Sequence, residues 1–355
     1  MLIVVCIRLV KGIGNDLAVV IENSDAVLLT VGILTKLVMP LFYEKQRRTI
    51  YELVAKHIDS IKDENEVIVL RKFSDAGFKF SFTYMVVIAS AGAVFFILPL
   101  TKMFYNYLIG KNRSETELPL LVEYVFLNKE QNFYVILVHM FMYLAACVMN
   151  DLAVDLAFIM GVCHVCTLFE IVRMRLRKAS DILSRDKKFN QSIRAVNEAN
   201  ALLKSAIDMH NEVLHLIALL EEVYHLVWFI VLIFNTCMVG ITLLEHYIAL
   251  NSPLYFLRYV MAMIMFFVHF YVIFKQGQKV IDSSSSVFDE CYRCNWYNAP
   301  KCSCTSLLLI MNRSVKPCTI TGGHGMFVLS METYTKMLKI GFSMFTVLKS
   351  IHNDS

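Results

Sequence analysis

Long apolar runs alternate with polar stretches along the chain, and the apolar runs have the length of membrane spans. A span needs about 20 apolar residues in succession. Residues 27–43 make one candidate, interrupted by Lys36 and Pro40. Residues 80–100 make a second. Residues 133–169 are apolar for longer than one straight crossing, with Asp151 and Asp155 at i,i+4 and no turn signal, so one tilted or partly buried helix is expected. Residues 223–244 and 254–274 follow, joined by the short connection 245–253. A last apolar helix follows the breaker 316–325 and nearly reaches the end of the chain, carrying Glu332, Lys336, Lys339 and Lys349. Residues 1–10 are too short to cross alone and read as the end of a longer helix whose start is missing.

Some polar stretches carry helical periodicity as well. Ile50, Leu53, Val54, His57 and Ile61 recur at helical spacing, so the helix before them is expected to continue into water. Residues 196–220 repeat apolar positions every three or four residues without Gly or Pro and run directly into the 223–244 span. The fold class predicted is therefore all-α, a multi-pass transmembrane helical bundle of seven spans with a truncated first helix and cytosolic helix extensions. The division expected is residues 1–274, holding helices one to six, and residues 275–355, holding a cytosolic segment and the last helix.

Composition agrees with a membrane protein. Of 355 residues, 57% are hydrophobic and 18% charged, with a mean hydropathy of +0.56, whereas a soluble domain is nearer half apolar and a quarter charged. The net charge of +4 gives no reason to invoke nucleic acid. The 10 cysteines are scattered through apolar runs and loops, as small buried hydrophobes rather than a secreted disulfide framework. No basic segment and cleavage site mark a signal peptide. Lys and Arg concentrate in 44–79, 173–220 and 275–316, which alternate with the cation-poor 101–132 and 245–253. The positive-inside rule then places the N-terminal side in the cytoplasm and the C-terminus outside.

The last third carries a recognisable pattern. Cys294-Asn-Trp-Tyr-Asn298, Leu307-Leu-Leu-Ile-Met311, Arg313-Ser-Val-Lys-Pro-Cys318, Phe327-Val-Leu-Ser-Met-Glu-Thr333 and Phe342-Ser-Met-Phe-Thr-Val-Leu-Lys-Ser350 resemble the C-terminal signature of insect odorant receptors. Lys62-Asp-Glu-Asn-Glu66 with Leu70-Arg-Lys72 is similar to that family's first cytosolic loop. The resemblance implies an odorant-gated, non-selective cation channel of the plasma membrane, assembled as a hetero-tetramer with a shared co-receptor subunit. It implies a central pore lined by the last helix, a cytosolic anchor between subunits, and an odorant pocket between the second, third, fourth and sixth helices. It also implies a cytosolic N-terminal arm and a full first helix, which this chain is expected to lack.

Individual residues follow from both readings. Lys336, Lys339, Ser343, Thr346 and Ser350 keep one face of the last helix polar along its length, either as a wet pore wall or as snorkelling lysines with Ser and Thr bonded to their own backbone. The resemblance puts a hydrophobic gate on Val347 and Ile351, beside Ser343 and Thr346. Phe95, Phe96, Phe141, Tyr255, Tyr259 and Met263 are candidate ligand contacts at the outer helix ends, against the plainer reading of helix packing and an interfacial aromatic belt. Asn112-Arg-Ser114 is an outward-facing glycosylation sequon. Cys291-x2-Cys294 with Cys302-x-Cys304 has some look of a metal site, but the second pair is spaced too tightly for the common zinc knuckle, so the four read as reduced thiols and no metal is expected. Gly322-Gly-His-Gly325 lacks the strand and Lys-Ser/Thr of a phosphate loop and, with Pro317, breaks the last helix in two. His139, His164 and His269 are expected as satisfied packing histidines. No catalytic triad or paired acid–base carboxylates suggest an enzyme, and no cofactor is implied. The rival readings are a G-protein-coupled-receptor-like protein, which the cation bias opposes, and a gustatory-receptor-type chemoreceptor. For the latter, Thr333-Tyr334 is present, but Ile340 and Gly341 stand where that family commonly has Gln-Phe.

Overall fold

Where polar and apolar runs share one helical period, the backbone has no reason to stop at the membrane surface, and the helices run through both. The computed structural model describes residues 17–109, 132–185, 193–248, 253–294, 296 and 299–354. Within them lie α1 (Leu17–Phe42), α2 (Glu44–Ser60), α3 (Glu64–Leu108), α4 (Phe133–Arg185), α5 (Ile193–Ile248), α6 (Pro253–Arg293), α7 (Lys301–Ser314) and α8 (Met331–Asp354). A two-stranded hairpin of β1 (Thr321–Gly322) and β2 (Phe327–Val328) separates α7 from α8. At about 1.5 Å per residue, α4 and α5, of 53 and 56 residues, are each roughly 80 Å long, against about 30 Å of hydrocarbon.

By length and composition, four described helices can cross a membrane, in α3, α4, α5 and α6, and five if the bent pair α1–α2 is one span. That pair turns by 73° at Tyr43. Pro40 lies one turn before the bend, where it removes a backbone donor and crowds the preceding carbonyl. α8 is outside this set although its 24 residues reach about 36 Å, because its charges make it too polar. The expected first half-helix, 1–10, lies outside the described residues.

Cross-contacts fix the helix directions. Thr30 pairs with Tyr143, and Lys36 with Asp155, so α1 and α4 are parallel. Cys166 and Arg177 reach Lys279 and Glu290, so α6 runs the same way. Gly77 and Gly92 approach Cys163 and Val148, which makes α3 antiparallel to α4. Gly161 meets Leu220 while Arg175 meets Ser205, which makes α5 antiparallel to α4 as well. α8 follows α5, through Thr236 to Met337 and Gly240 to Met344. The described long helices thus alternate in the order a chain crossing a bilayer requires.

The main core joins α4, α5, α6, α7 and the hairpin. Phe158 sets its ring edge-on to both Tyr224 and Trp228, at centroid distances of 5.1 and 4.9 Å. α6 continues beyond the apolar run to Arg293 because Val280, Val287, Cys291 and Cys294 keep a buried stripe at helical spacing. Ion pairs hold this end. The Arg175 guanidinium donates to both oxygens of Glu66 at 2.8 Å and to Ser205 Oγ at 2.8 Å, tying α3, α4 and α5. Arg173 and Arg177 both donate to Glu290, tying α4 to α6. Lys178, 2.6 Å away, holds the Asp63 carboxyl below its usual range.

Gly277 lets α6 pass the hairpin, since a Cβ there would lie 2.1 Å from the Leu329 carbonyl oxygen. Replacing Gly277 by Ala should therefore destabilise the purified protein by about 1–3 kcal/mol, read as a lower melting temperature. Gly32→Ala, at an α1 position with nothing within 4 Å, should be neutral or stabilising by up to about 1 kcal/mol in the same assay.

Candidate functional site

The i,i+4 carboxylates of α4 do not interrupt the span. Asp151 and Asp155 share one face, and Lys36 of α1 inserts its ammonium between them, 3.0 Å from Asp151 Oδ1 and 2.8 Å from Asp155 Oδ1. Lys36 is 2% exposed and Asp155 not at all. The second Asp155 oxygen accepts the Tyr84 hydroxyl of α3 at 2.6 Å and faces His269 Nδ1 of α6 at 3.0 Å. A carboxylate only accepts, so His269 carries its proton on Nδ1. The Trp228 ring of α5 lies 5.7 Å from the ammonium. Four helices thus meet on Asp155, and a fifth supplies the ring. Burying a charge is tolerable only with such pairing and hydrogen bonding.

His269 is satisfied, as expected of a packing histidine, but by a charged partner. The sequence reading missed the cluster as a unit. The available signal was an acidic i,i+4 pair on one apolar helix and a lysine on another, each needing an opposite charge. Ligand atoms of Asp151, Asp155 and His269 lie within 4.8 Å of one another, a spacing that suits a metal ion. The Lys36 ammonium already occupies the space between the carboxylates, so a dication there would meet a like charge.

The candidate ligand positions lie on the same helices to one side of this cluster. Counted along each helix at about 1.5 Å per residue, Phe95 is about 16 Å from Tyr84, Phe141 about 21 Å from Asp155, and Tyr259 and Met263 about 15 and 9 Å from His269. The helix directions put all of these displacements toward the same end. Phe141, Tyr259 and Met263 are half-buried. Phe95, Phe96 and Tyr255 are on α3 and α6, with side chains outside the described residues. Asn112 also lies outside them.

At the other end the hairpin turns the chain into α8. Gly323, His324 and Gly325 have φ of 65°, 53° and 94°, the left-handed region that glycine enters without strain. A Cβ on Gly323 would come within 2.4 Å of the Phe229 ring, so this turn sits flat on α5. Thr321 donates its hydroxyl to Glu221, and Gly323 N donates to the His225 carbonyl at 3.0 Å. α8 then packs on α5 through Met337, Gly341 and Met344. Cβ atoms on Gly240 and Gly341 would each come within 2.9 Å of the facing helix, so the two helices approach closely. The opposite face of α8 is exposed and includes Lys336, Lys339, Ser343, Thr346, Val347, Ser350 and Ile351. Val347 and Ile351 stay 57% and 52% exposed although both are large and apolar. The Lys349 ammonium sits 4.3 Å from the Tyr247 ring centre, on the α5 side. Buried Cys291 and Cys294 pack α6 against α4, with Cys294 Sγ donating to the Leu176 carbonyl at 3.6 Å.

Residues 16–342 match the family described as 7tm Odorant receptor. The chain is 22% identical to Odorant receptor 67c of Drosophila melanogaster over 207 residues, which is 58% of this chain and 47% of that protein. It is 29% identical to Odorant receptor 67a of the same species over 153 residues, 42% of this chain and 36% of the relative. It is 25% identical to the Odorant receptor coreceptor of Aedes aegypti over 154 residues, 41% of this chain and 30% of that protein. The chain thus spans less than half the length of the curated relatives it matches. Its fold is similar to that of the insect olfactory receptor OR5 from Machilis hrabei. The structure of that receptor in complex with eugenol superimposes with a TM-score of 0.74 at 13% identity, over 99% of this chain and 86% of that one. A second OR5 structure gives 0.68 at 16% identity, over 98% and 85%.

Lys36→Met would leave the fully buried Asp155, and with it the partly exposed Asp151, without their cation. The expected loss is about 3–5 kcal/mol, seen as a collapse of the monodisperse fraction in detergent. Adding Asp151→Asn and Asp155→Asn removes the orphaned charges, and most of the folded yield should return in the same size-exclusion assay.

Proposed function

The chain belongs to the odorant receptor family of seven-transmembrane proteins, and on that premise we propose that it is an odorant-gated, non-selective cation channel subunit. Family membership makes it a multi-pass membrane receptor of olfaction and not an enzyme. In the proposal it joins a co-receptor subunit in a hetero-tetramer at the plasma membrane, with its N-terminal side cytoplasmic and its C-terminus outside. Residues 1–274 hold the odorant pocket, whose contacts are drawn from Phe95, Phe96, Phe141, Tyr255, Tyr259 and Met263. Residues 275–355 supply the anchor segment and the pore helix.

The observation that carries this reading is the asymmetry of α8. One face is fastened to α5 by glycine-mediated contact, and the rest is left exposed, with a row of Lys, Ser and Thr beside four large apolar side chains, Ile340, Phe342, Val347 and Ile351. A lone lipid-facing helix would not turn lysines and hydroxyls outward. Around a shared axis, the same face is a wet wall, with Val347 and Ile351 as an apolar constriction that closes by dewetting. Odorant binding favours the open state only through its differential affinity for the two states. The directional alternation of the helices supports a pocket at one end and the anchor at the other.

Cells expressing the full-length receptor with a co-receptor should show an odorant-evoked cation current against a broad panel of volatile compounds. Absence of any response, with surface expression verified, would overturn the channel reading. In the same cells Val347→Ser should wet the constriction and raise the current without odorant several-fold. For the orientation, Asn112→Gln should remove a glycan and the associated gel shift.

A further inference from the structure

His225 and His324 lie apart from both the buried ion cluster and the exposed face of α8. His225 is on α5 and 3% exposed, and His324 is at the tip of the hairpin. Their ring centres are 4.0 Å apart, with the ring planes inclined at 43°. His225 Nδ1 faces two backbone carbonyl oxygens, of Glu222 at 2.9 Å and of Glu221 at 3.2 Å. Carbonyls only accept, so Nδ1 carries a proton, and in the neutral imidazole Nε2 presents a lone pair. That Nε2 is buried and has no hydrogen-bond partner among the described residues. A buried acceptor without a donor is costly, and each such case asks for an explanation.

We propose that His225 and His324 form a two-imidazole site for a divalent transition-metal ion, such as zinc. The arrangement of His225 is the one metal-binding histidines adopt: one nitrogen donates to a carbonyl, which sets the tautomer and turns the other lone pair toward the cation. Imidazole donors suit zinc, copper and nickel, and water would complete the coordination. Two imidazoles on one tetrahedral zinc, with Zn–N bonds of about 2 Å, have ring centres about 5 Å apart. His324 therefore has to swing outward by about 1 Å, which its exposed position allows. Its backbone already holds φ of 53° between Gly323 and Gly325.

The site spans the joint between α5 and the segment that leads into α8. The hairpin is otherwise held there by the Gly323 N to His225 carbonyl bond, the Thr321 to Glu221 bond, and contact with Phe229. A bound cation adds a fastening from the outer side of the turn and so stiffens the start of α8. This inference concerns binding and does not depend on the channel reading.

The test is zinc titration of the purified, chelator-treated full chain in detergent near neutral pH, by calorimetry and by thermal melting. The wild-type chain should bind one more zinc ion than His324→Asn, at least ten-fold tighter than any site left in that variant. Zinc should raise the wild-type melting temperature by about 2–5 °C and leave that of the variant unmoved. Asn keeps the left-handed backbone while removing the imidazole, so the variant should melt like wild type without zinc. Cys302→Ser, which removes an exposed thiol, should leave the zinc effect intact. Equal stoichiometry and affinity in wild type and His324→Asn would overturn the site, and so would loss of binding in Cys302→Ser.

Discussion

A lysine and an aspartate cannot be buried among apolar helices unless each finds its opposite, and this requirement sets much of the bundle's geometry. Lys36 has to lie level with Asp151 and Asp155, which fixes the axial offset and rotation of α1 against α4. Asp155 has one oxygen left after Lys36, and Tyr84 and His269 satisfy it from α3 and α6. Such pairs are weak contributors to net stability, because desolvation offsets most of the attraction. Their stronger effect is on register: a one-turn slip of any of these helices would strand a charge in an apolar setting. The cluster thereby ties together the helices on which the candidate odorant contacts lie. Contacts placed above it inherit their relative heights from it.

The opposite end is organised by a different balance. There the helices extend beyond the hydrocarbon thickness, and the buried carboxylates of Glu66 and Glu290 are met by Arg175 and Arg177 of α4, which join the helices beside a continuous apolar core. α8 belongs to neither regime. It is long enough to cross, too charged to stand in lipid alone, and attached on one face only. A helix with those properties needs water or other protein on its free side, which is the physical ground for assigning it to a pore. The hairpin before it transmits position, because Gly322 and Gly323 let it lie close against Phe229 of α5, and Gly277 of α6 lets it approach that helix at Leu329.

Legibility varied with the range of the interaction. The helices, their continuation out of the apolar runs, and the polar stripe of α8 were readable because periodicity is a local property. The break at 316–325 was readable from Pro317 and the glycines, yet its form as a paired hairpin was not, since Thr321↔Val328 and Gly322↔Phe327 pair where the segment docks against Phe229 of α5 and Gly277 of α6. Pro40 marked an interruption in the first apolar run, but the helix was expected to continue through 50–61, and the 73° bend at Tyr43 is visible only in the structure, where α2 lies against α5. Lys36, Asp151 and Asp155 were each visible as misfits in apolar runs. Their meeting was not, because nothing local relates residues more than a hundred positions apart.

The sequence by itself determined that this is a helical membrane protein, which stretches form its helices, and, through its C-terminal motifs, which family it resembles. Hydropathy and helical spacing carry that information residue by residue. Only the tertiary structure decided that Lys36 neutralises Asp155, that His269 and Tyr84 complete its hydrogen bonds, and that His225 faces His324. Each of these depends on the rotation and axial offset of one helix against another, which are settled by interlocking side chains and by the cost of an unpaired buried charge rather than by the period of any single helix.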